Sequence, residues 1–183
     1  PSCGSKTVKD FNESTKKYDA VRRCPNKDFK CEKIAMECLK HFVSKEALNI
    51  DGFGKKIVEK FWELKLVKFP QDIFKLDFEK IKELDGWGDL SVSNLKYAIE
   101  KSKKISLDKF IYSLGIRHIG QENAKLLAQH LKNFENFYKL LKTDNIENLT
   151  NIDGIGETQI KSIRVFFSNK INLNILEKLH KSM

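Results

Sequence analysis

Long apolar runs, proline and cysteine are scarce in this sequence. Its 183 residues include three prolines and four cysteines. No apolar run approaches the roughly 18 residues that span a membrane, and no secretory signal pattern is present, so we expect no membrane partner. Four cysteines in a chain of this size do not form a small disulfide framework, which favours a reducing cytoplasm. The chain begins with Pro1, which indicates a piece of a longer protein.

Acidic residues are too few to balance the basic ones. There are 34 lysines and arginines against 25 aspartates and glutamates, so the formal net charge is +9. The excess occurs in each of the segments 1–48, 49–106 and 107–183. A spread excess is typical of a protein whose modules each contact a polyanion. A lysine-rich soluble surface explains the charge alone equally well, so the interpretation depends on the motifs that accompany it.

Glycine is also scarce, but its placement is regular. Eight of the nine glycines fall into four pairs, whose second members are separated by 34, 32 and 36 residues: Gly52/Gly54, Gly86/Gly88, Gly115/Gly120 and Gly154/Gly156. A nearly fixed period indicates a repeated supersecondary unit. Tetratricopeptide repeats have a similar period, but they require a tryptophan-to-proline pattern that this proline-poor chain lacks.

The segments around the glycine pairs have the apolar spacing of helices from about residue 32 to the end of the chain. We therefore predict a mostly α fold, a tandem helix–hairpin–helix domain with four motifs in two pairs. Pair one covers 32–106 and pair two covers 107–183, with a joint at 101–104 and a last helix over 173–179. Residues 1–31 differ, because polar alternation on both sides of 12–15 predicts a short β-hairpin with cysteines at its base.

Each hairpin predicts a phosphate site made of main-chain amides. A turn with glycines that opens a helix presents free N–H groups at the positive end of the helix dipole. The alternative is that the glycines only make tight turns. The predicted DNA-binding residues are the glycines and their polar neighbours: Gly52, Gly54, Lys55, Lys56, Gly86, Gly88, Gly115, Arg117, His118, Gly120, Gln121, Gly154, Gly156 and Lys161.

Side chains near the hairpins are unequal, so we expect hairpins one and three to bind most strongly. Asp89 and Glu157 follow hairpins two and four and would oppose a phosphate. For Arg117 we expect a phosphate contact, with a surface ion pair as the alternative. For His118 a packing role and a DNA contact stay open, while His41, His130 and His180 are interpreted as helix-surface residues.

Three cysteines, Cys3, Cys24 and Cys31, predict a metal site with one ligand missing, since structural zinc takes four ligands. Cys38 follows Cys31 by seven helical residues, or roughly 10 Å along the axis, so we interpret it as a buried thiol. The iron–sulfur cluster of helix–hairpin–helix glycosylases shares the spacing of Cys24 and Cys31. However, this chain has no Cys-x-x-Cys, and its cysteines precede the hairpins instead of following them, which disfavours an iron–sulfur cluster.

With hairpins and cysteines together, the chain resembles the zinc-finger and helix–hairpin–helix region of bacterial NAD-dependent DNA ligases. The most specific segments are 41–54 (HFVSKEALNIDGFG), 114–120 (LGIRHIG) and 98–103 (AIEKSK). The resemblance implies a four-cysteine finger that binds Zn²⁺ through Cys3, Cys24 and Cys31, with the first ligand before Pro1. It also implies hairpins that grip the minor groove of nicked duplex DNA, independently of sequence.

The resemblance further implies an enzyme of DNA replication and repair, located in the bacterial cytoplasm at the nucleoid. Such an enzyme adenylates a lysine from NAD, passes AMP to the 5′-phosphate and joins that end to the 3′-hydroxyl. The adenylation motif Lys-x-Asp-Gly, the oligonucleotide-binding barrel and the BRCT domain are absent from this sequence. The resemblance therefore implies a monomeric, non-catalytic fragment whose other partners are the remaining domains of the same ligase chain.

Two other readings remain open at this point. The first is a stand-alone helix–hairpin–helix module of a recombination or excision-repair protein. The second is a glycosylase, which needs a catalytic aspartate in a Gly/Pro-rich segment after one hairpin. Pro70 is the only proline beyond residue 25, and it follows no such hairpin.

Overall fold

The structure, a computed structural model, describes residues 1–12, 15–26, 29–140 and 145–183. The described chain is mostly helical, as predicted. Its elements, in chain order, are β1 (Phe11–Asn12), β2 (Lys17–Tyr18), α1 (Glu32–Val43), α2 (Lys55–Glu63), a 3₁₀ helix (Pro70–Lys75), α3 (Phe78–Lys82), α4 (Asp89–Ser102), α5 (Leu107–Ser113), α6 (Gln121–Leu131), α7 (Phe134–Lys139), a second 3₁₀ helix (Asn145–Asn151), α8 (Glu157–Ser168) and α9 (Lys170–Ser182). None of the described helices has both the length and the apolar character that a membrane span requires.

The N-terminal module, which we call the finger (residues 1–31), contains the predicted β-hairpin. Strands β1 and β2 are antiparallel, with Phe11 opposite Tyr18. An isolated bridge between Val8 and Arg23 extends the pairing toward the base. Glu13 and Ser14 of the predicted turn lie outside the described residues. The hairpin is thus confirmed, with its two short strands closer to the turn than the sequence pattern indicated.

The four glycine pairs lie between helices. Hairpin one joins α1 to α2, hairpin two joins α3 to α4, and hairpin three joins α5 to α6. Hairpin four is preceded by the 3₁₀ helix Asn145–Asn151 and followed by α8. That first element is not an α-helix because its sequence, NIENLTN, is rich in asparagine and threonine, which have low helix propensity.

Contacts between a helix of one hairpin and the turn of the next hold each pair together. In pair one, Lys60 of α2 donates from Nζ to the carbonyl oxygen of Asp85 at 3.0 Å. In pair two, Leu126 of α6 lies so close to Gly154 that a Cβ there would approach its Cδ1 to 2.8 Å. Lys60 and Leu126 are both six residues beyond the second glycine of their hairpins, so the two pairs are built alike.

The two pairs share one continuous apolar core. Buried residues from Leu39 to Leu179 form a single cluster, in which Phe61 and Phe110 are fully buried. His41 corrects our surface interpretation, because it is half-buried and its Nε2 lies 2.7 Å from the carbonyl oxygen of Tyr112, on α5. This contact links the first helix of pair one to the first helix of pair two.

The last helix also joins the pairs. Helix α9 covers Lys170–Ser182, longer than the predicted 173–179, because Asn169 caps its N-terminus by accepting from the amide of Ile171 at 2.8 Å. It packs against α8 and against the 3₁₀ helix Pro70–Lys75 of pair one. Helix α4 ends at Ser102, inside the predicted joint. The domain boundaries at 31/32 and 106/107 stay a prediction.

Candidate nucleic-acid interface and metal centre

The same tight turn occurs in all four hairpins. In each, the amide of the fourth turn residue donates to the carbonyl of the first: Phe53 to Ile50 at 3.1 Å, and Trp87 to Leu84, Ile119 to Ile116 and Ile155 to Ile152 at 3.0 Å. The third residue has a positive φ in every case, at Gly52 (+78°), Gly86 (+83°), His118 (+62°) and Gly154 (+88°). This φ is expected at the third position of a type II turn.

Hairpin three therefore differs from the sequence interpretation. His118, and not Gly115, occupies the turn position that glycine fills in the other hairpins. Gly115, at φ +63°, follows α5, where it corresponds to Asn49 (φ +49°) after α1. Histidine is among the residues that tolerate this region better than most, and the carbonyl oxygen of His118 accepts from Asn123 Nδ2 at 2.9 Å. The His118 side chain is exposed.

The second glycine of each pair is the N-cap of the helix that follows. Gly54, Gly88, Gly120 and Gly156 cap α2, α4, α6 and α8, with φ between −71° and −103°. Any residue can adopt this backbone, and a Cβ at Gly54, Gly88 or Gly120 would meet no atom of the described residues within 4 Å. The fold itself does not need glycine at these three positions. What glycine provides there is room for an outside group to approach the backbone.

Three of the four helix N-termini also keep their amides free of side chains. Among the described residues, no side chain caps α2, α4 or α6. Their amides therefore stand at the positive end of each helix, where an anion is favoured. Hairpin four differs, because Gln159 Oε1 accepts from the amide of Gly156 at 3.2 Å. The sequence offered a signal for this cap, since a glutamine three residues beyond an N-cap is typical of a capping box.

The charges around the hairpins support the expected ranking in part. Lys55 and Lys56 are exposed in the first turn of α2. Gln121, in the first turn of α6, and Lys161, one turn into α8, are exposed as well. At hairpin two, Asp89 is paired with Lys82 at 2.5 Å, which offsets its negative charge. Hairpin one thus carries the strongest local positive charge.

Arg117 occupies a position that is acidic in the other hairpins. The second turn residue is Asp51, Asp85 or Asp153 in hairpins one, two and four. Arg117 instead forms ion pairs with the finger: Nη1 with Asp10, and Nη2 with Asp19 Oδ2 at 3.1 Å. The phosphate contact of Arg117 stays a prediction. Comparison of the four turns in the sequence could have identified Arg117 as an exception. No sequence pattern identified Asp10 and Asp19 as its partners.

Three cysteines meet at the base of the finger. The Sγ atoms of Cys3, Cys24 and Cys31 lie within 4.8 Å of one another, with Cys3 and Cys24 3.4 Å apart. The amide and then the hydroxyl of Ser5 lower the pKa of Cys3 to about 6. The amide of Ile34, in the first turn of α1, and the Ser2 hydroxyl lower the pKa of Cys31. Burial is the main cause that raises the pKa of Cys24.

These thiols fit a zinc site in chemistry and spacing. Thiolates are soft ligands that suit Zn²⁺, and tetrahedral Zn–S bonds place sulfur atoms about 3.8 Å apart. Among the described residues, no fourth histidine, cysteine or acid joins the three sulfurs. Cys38 lies outside the group, as predicted, but it is exposed, so our interpretation as a buried thiol was wrong. Its position on the outer side of α1 leaves it away from the core.

Comparison with known proteins agrees with this architecture. Residues 109–176 match a helix-hairpin-helix motif family. The chain is 67% identical over 183 residues to a DNA ligase of Pelagibacter ubique (strain HTCC1062), and 38% identical over 194 aligned residues to a DNA ligase of Parvibaculum lavamentivorans. It is 42% identical over 185 residues to a DNA ligase of Wolbachia pipientis subsp. Culex pipiens.

These matches cover 98–100% of the chain and 27% of each relative, so the chain spans about a quarter of their length. The repeated hairpins, the cysteine cluster beside them and relatives that match nearly the whole of this chain fit a fragment of a bacterial DNA ligase that carries helix–hairpin–helix motifs.

Proposed function

We propose that this chain is the DNA-gripping part of an NAD-dependent DNA ligase and that it binds duplex DNA without regard to sequence. The observation that carries the proposal is the open space at Gly54, Gly88 and Gly120. Three helix N-termini expose uncapped amides behind glycines that the fold does not require. Such a surface suits a phosphate oxygen, and phosphate contacts set position on the backbone without reading bases.

In this proposal each hairpin places the amides around its second glycine against one or two phosphates along the minor groove. Lys55, Lys56, Gln121 and Lys161 add side-chain contacts. Gly52, Gly86, Gly115, Gly154 and His118 shape the turns that aim these amides. Hairpin four contributes less, because Gln159 must release the Gly156 amide before a phosphate can take its place.

The finger would hold Zn²⁺ through Cys3, Cys24 and Cys31, with a fourth ligand from outside the described residues. The bound ion would supply a rigid, closed base for the β-hairpin. Catalysis would belong to other parts of the longer protein, which would use NAD to adenylate a lysine and seal nicks in replication and repair. The chain would act as a monomer in the bacterial cytoplasm. The relatives that match 98–100% of this chain are ligases, which favours this proposal over a stand-alone module or a glycosylase.

The test is fluorescence anisotropy of the Zn²⁺-loaded chain on nicked and intact duplexes of unrelated sequences, titrated with salt. Four hairpins that each neutralise one or two phosphates give a log–log slope of affinity against salt on the order of −4 to −7. We expect this slope on every sequence and tighter binding to the nick. Absence of binding at low salt, or binding that depends on base sequence, would refute the proposal.

A further inference from the structure

Arg117 is paired with two carboxylates, which would compete with a phosphate for its guanidinium. Its guanidinium lies between the carboxylates of Asp10 and Asp19, both on the finger hairpin, some hundred residues away in sequence. Asp19 also accepts from Arg23 at 2.6 Å. The exposed fraction of the side chain is 37% for Arg117, 29% for Asp10 and 32% for Asp19, so all three are partly buried. The contact is therefore an interface between two modules.

The two aspartates are held at fixed positions by the finger hairpin. The amide of Asp19 donates to the carbonyl of Asp10 at 2.8 Å, so the residues stand opposite each other on neighbouring chains of the hairpin. Phe11 follows Asp10 and Tyr18 precedes Asp19, so the two rings lie on the other face of the hairpin, where both are exposed and contact each other edge to face at 5.0 Å. Alternation thus turns the acids toward hairpin three and the rings toward solvent.

The same hairpin ends at the cysteines. Arg23 pairs with Val8 through both backbone hydrogen bonds, at 2.8 and 2.7 Å, and the next residue is Cys24. Closure of the cysteine cluster therefore sets the base of the hairpin, and the hairpin sets the positions of Asp10 and Asp19. Hairpin three lies at the end of this connected path.

We propose that Arg117 is a positioning residue that docks the finger onto hairpin three, so that the state of the cysteine cluster is transmitted to the amides of that hairpin. The DNA-binding consequence of this inference rests on the proposed function. The position itself supports the inference, because the other three hairpins carry aspartate at this turn residue. Coupling is reciprocal, so DNA held by hairpin three would strengthen metal binding by the same factor.

The expected size of the coupling is modest. Ion pairs that keep partial contact with water contribute little individually, and two such pairs on one guanidinium change an equilibrium by up to about fivefold each. We therefore expect a change of about this size both in hydrogen exchange at hairpin three and in DNA affinity.

The experiment compares Arg117→Gln, the double variant Asp10→Asn/Asp19→Asn, and the triple variant, each loaded with Zn²⁺ and then treated with a chelator. Arg164→Gln is the matched control, since it removes an arginine of α8 that is paired with Glu147 of the second 3₁₀ helix at 2.5 Å, beside hairpin four. The first readout is hydrogen exchange at the amide of Ile119, which closes the turn of hairpin three. The amide of Ile155 closes the same turn in hairpin four and serves as the internal reference.

We expect chelation to accelerate exchange at Ile119 severalfold in the unchanged chain and in Arg164→Gln, with no change at Ile155. In Arg117→Gln, exchange at Ile119 is raised before chelation, and chelation adds nothing. The double variant matches Arg117→Gln, and the triple variant is no worse than either, because all three break one contact.

The second readout is DNA affinity, measured as a salt titration. Arg117→Gln removes a positive charge and Asp10→Asn/Asp19→Asn removes two negative ones, so electrostatics alone would move affinity in opposite directions. We expect both to lose affinity by the same factor, up to about fivefold, with the salt slope unchanged.

Two results would overturn the inference. One is exchange at Ile119 that does not respond to chelation or to the aspartate substitutions. The other is tighter DNA binding in Asp10→Asn/Asp19→Asn together with a slope reduced by about 0.9 in Arg117→Gln, which would identify Arg117 as a direct phosphate contact. If the unchanged chain binds no DNA, the proposed function fails while the exchange measurements still decide the role of Arg117.

Discussion

At the scale of single residues, the two glycines of one hairpin serve different purposes. Gly52 has a φ of +78°, where a side chain is strained, so it is required by the turn. Gly54, two residues on, has ordinary φ and open space around its missing Cβ. The first glycine shapes the hairpin, and the second keeps the helix N-terminus accessible. In the proposed function, hairpins one and three thus bind phosphate at Gly54 and Gly120, which the fold does not require to be glycine.

This distinction predicts that Gly120→Ser separates DNA binding from folding. Serine is a good N-cap, so its hydroxyl should cap α6 and raise the free energy of unfolding by a few tenths of a kcal/mol. The same hydroxyl and Cβ occupy the space in front of the amides, so DNA affinity should fall by about tenfold, the equivalent of one charged hydrogen bond lost. Urea unfolding and anisotropy measure the two effects.

Gly156→Ser is the matched control, because Gly156 has a similar backbone and its amide already donates to Gln159. Its loss of affinity should be the smaller of the two. Equal losses, or normal binding by Gly120→Ser, would contradict the main-chain phosphate model for hairpin three.

Sequence reasoning located the second glycines because their period was visible, but it assigned hairpin three incorrectly. Pairing Gly115 with Gly120 concealed that the turn position two residues before Gly120 is filled by His118. The positive φ of His118 cannot be read from its identity, because it belongs to the turn that the hydrogen bond from Ile119 to Ile116 closes, and most histidines have negative φ. The ion pairs of Arg117 were also out of reach, since they depend on how the finger is placed.

At the scale of elements, apolar periodicity predicted the α-helices beside the hairpins and also included Ile146 and Leu149, which lie in a 3₁₀ helix, while Pro70–Lys75 had no such signal. Pro70–Lys75 is held by Asp72, whose Oδ2 accepts from the amides of Phe69 at 2.8 Å and Lys68 at 3.0 Å. Short segments of this kind are decided by local hydrogen bonds and by what packs on them. Here α9 packs on Pro70–Lys75, so the last helix stabilises the first pair.

We predict that Leu176→Ala destabilises the whole chain. Leu176 is fully buried on α9, and removing its side chain leaves a cavity that costs about 2–5 kcal/mol. Lys178→Ala on the exposed side of the same helix should stay within about 0.5 kcal/mol. Hydrogen exchange would locate the effect: amides of residues 71–75 in the first 3₁₀ helix should lose protection together with those of α8. Loss of protection that is confined to α8 would show that α9 does not support pair one.

At the scale of the whole molecule, one core carries both pairs, whereas the finger contacts them through the ion pairs of Arg117 and through Phe29, which packs against that core. The apolar cluster runs without a break from α1 to α9, through the contact of His41 with Tyr112. Repeats alone would have allowed two independent halves, and the sequence could not decide between these arrangements. The deciding contacts, His41 with α5 and α9 with Pro70–Lys75, are long-range and leave no local pattern.

The shared core predicts a single unfolding transition. Phe61 lies in pair one and Phe110 in pair two, and both are fully buried. Phe61→Ala and Phe110→Ala should each lower the free energy of unfolding by about 3–5 kcal/mol and shift the same transition, measured by calorimetry and by circular dichroism. Two transitions, each sensitive to only one substitution, would mean that the pairs fold separately.

Repeats within a chain can replace one another only where the residues around each repeat form the same contacts with it. Hairpins one and three have the same turn, the same helix order and the same positive-φ positions, so a graft of residues 50–53 onto 116–119 would preserve the backbone. It would also bring Asp51 to the place of Arg117, where it would face Asp10 and Asp19. A third carboxylate would then replace the guanidinium that now pairs with both aspartates. Hairpin three therefore cannot be exchanged for hairpin one, although their backbones match, because the positive charge of Arg117 is needed at this place.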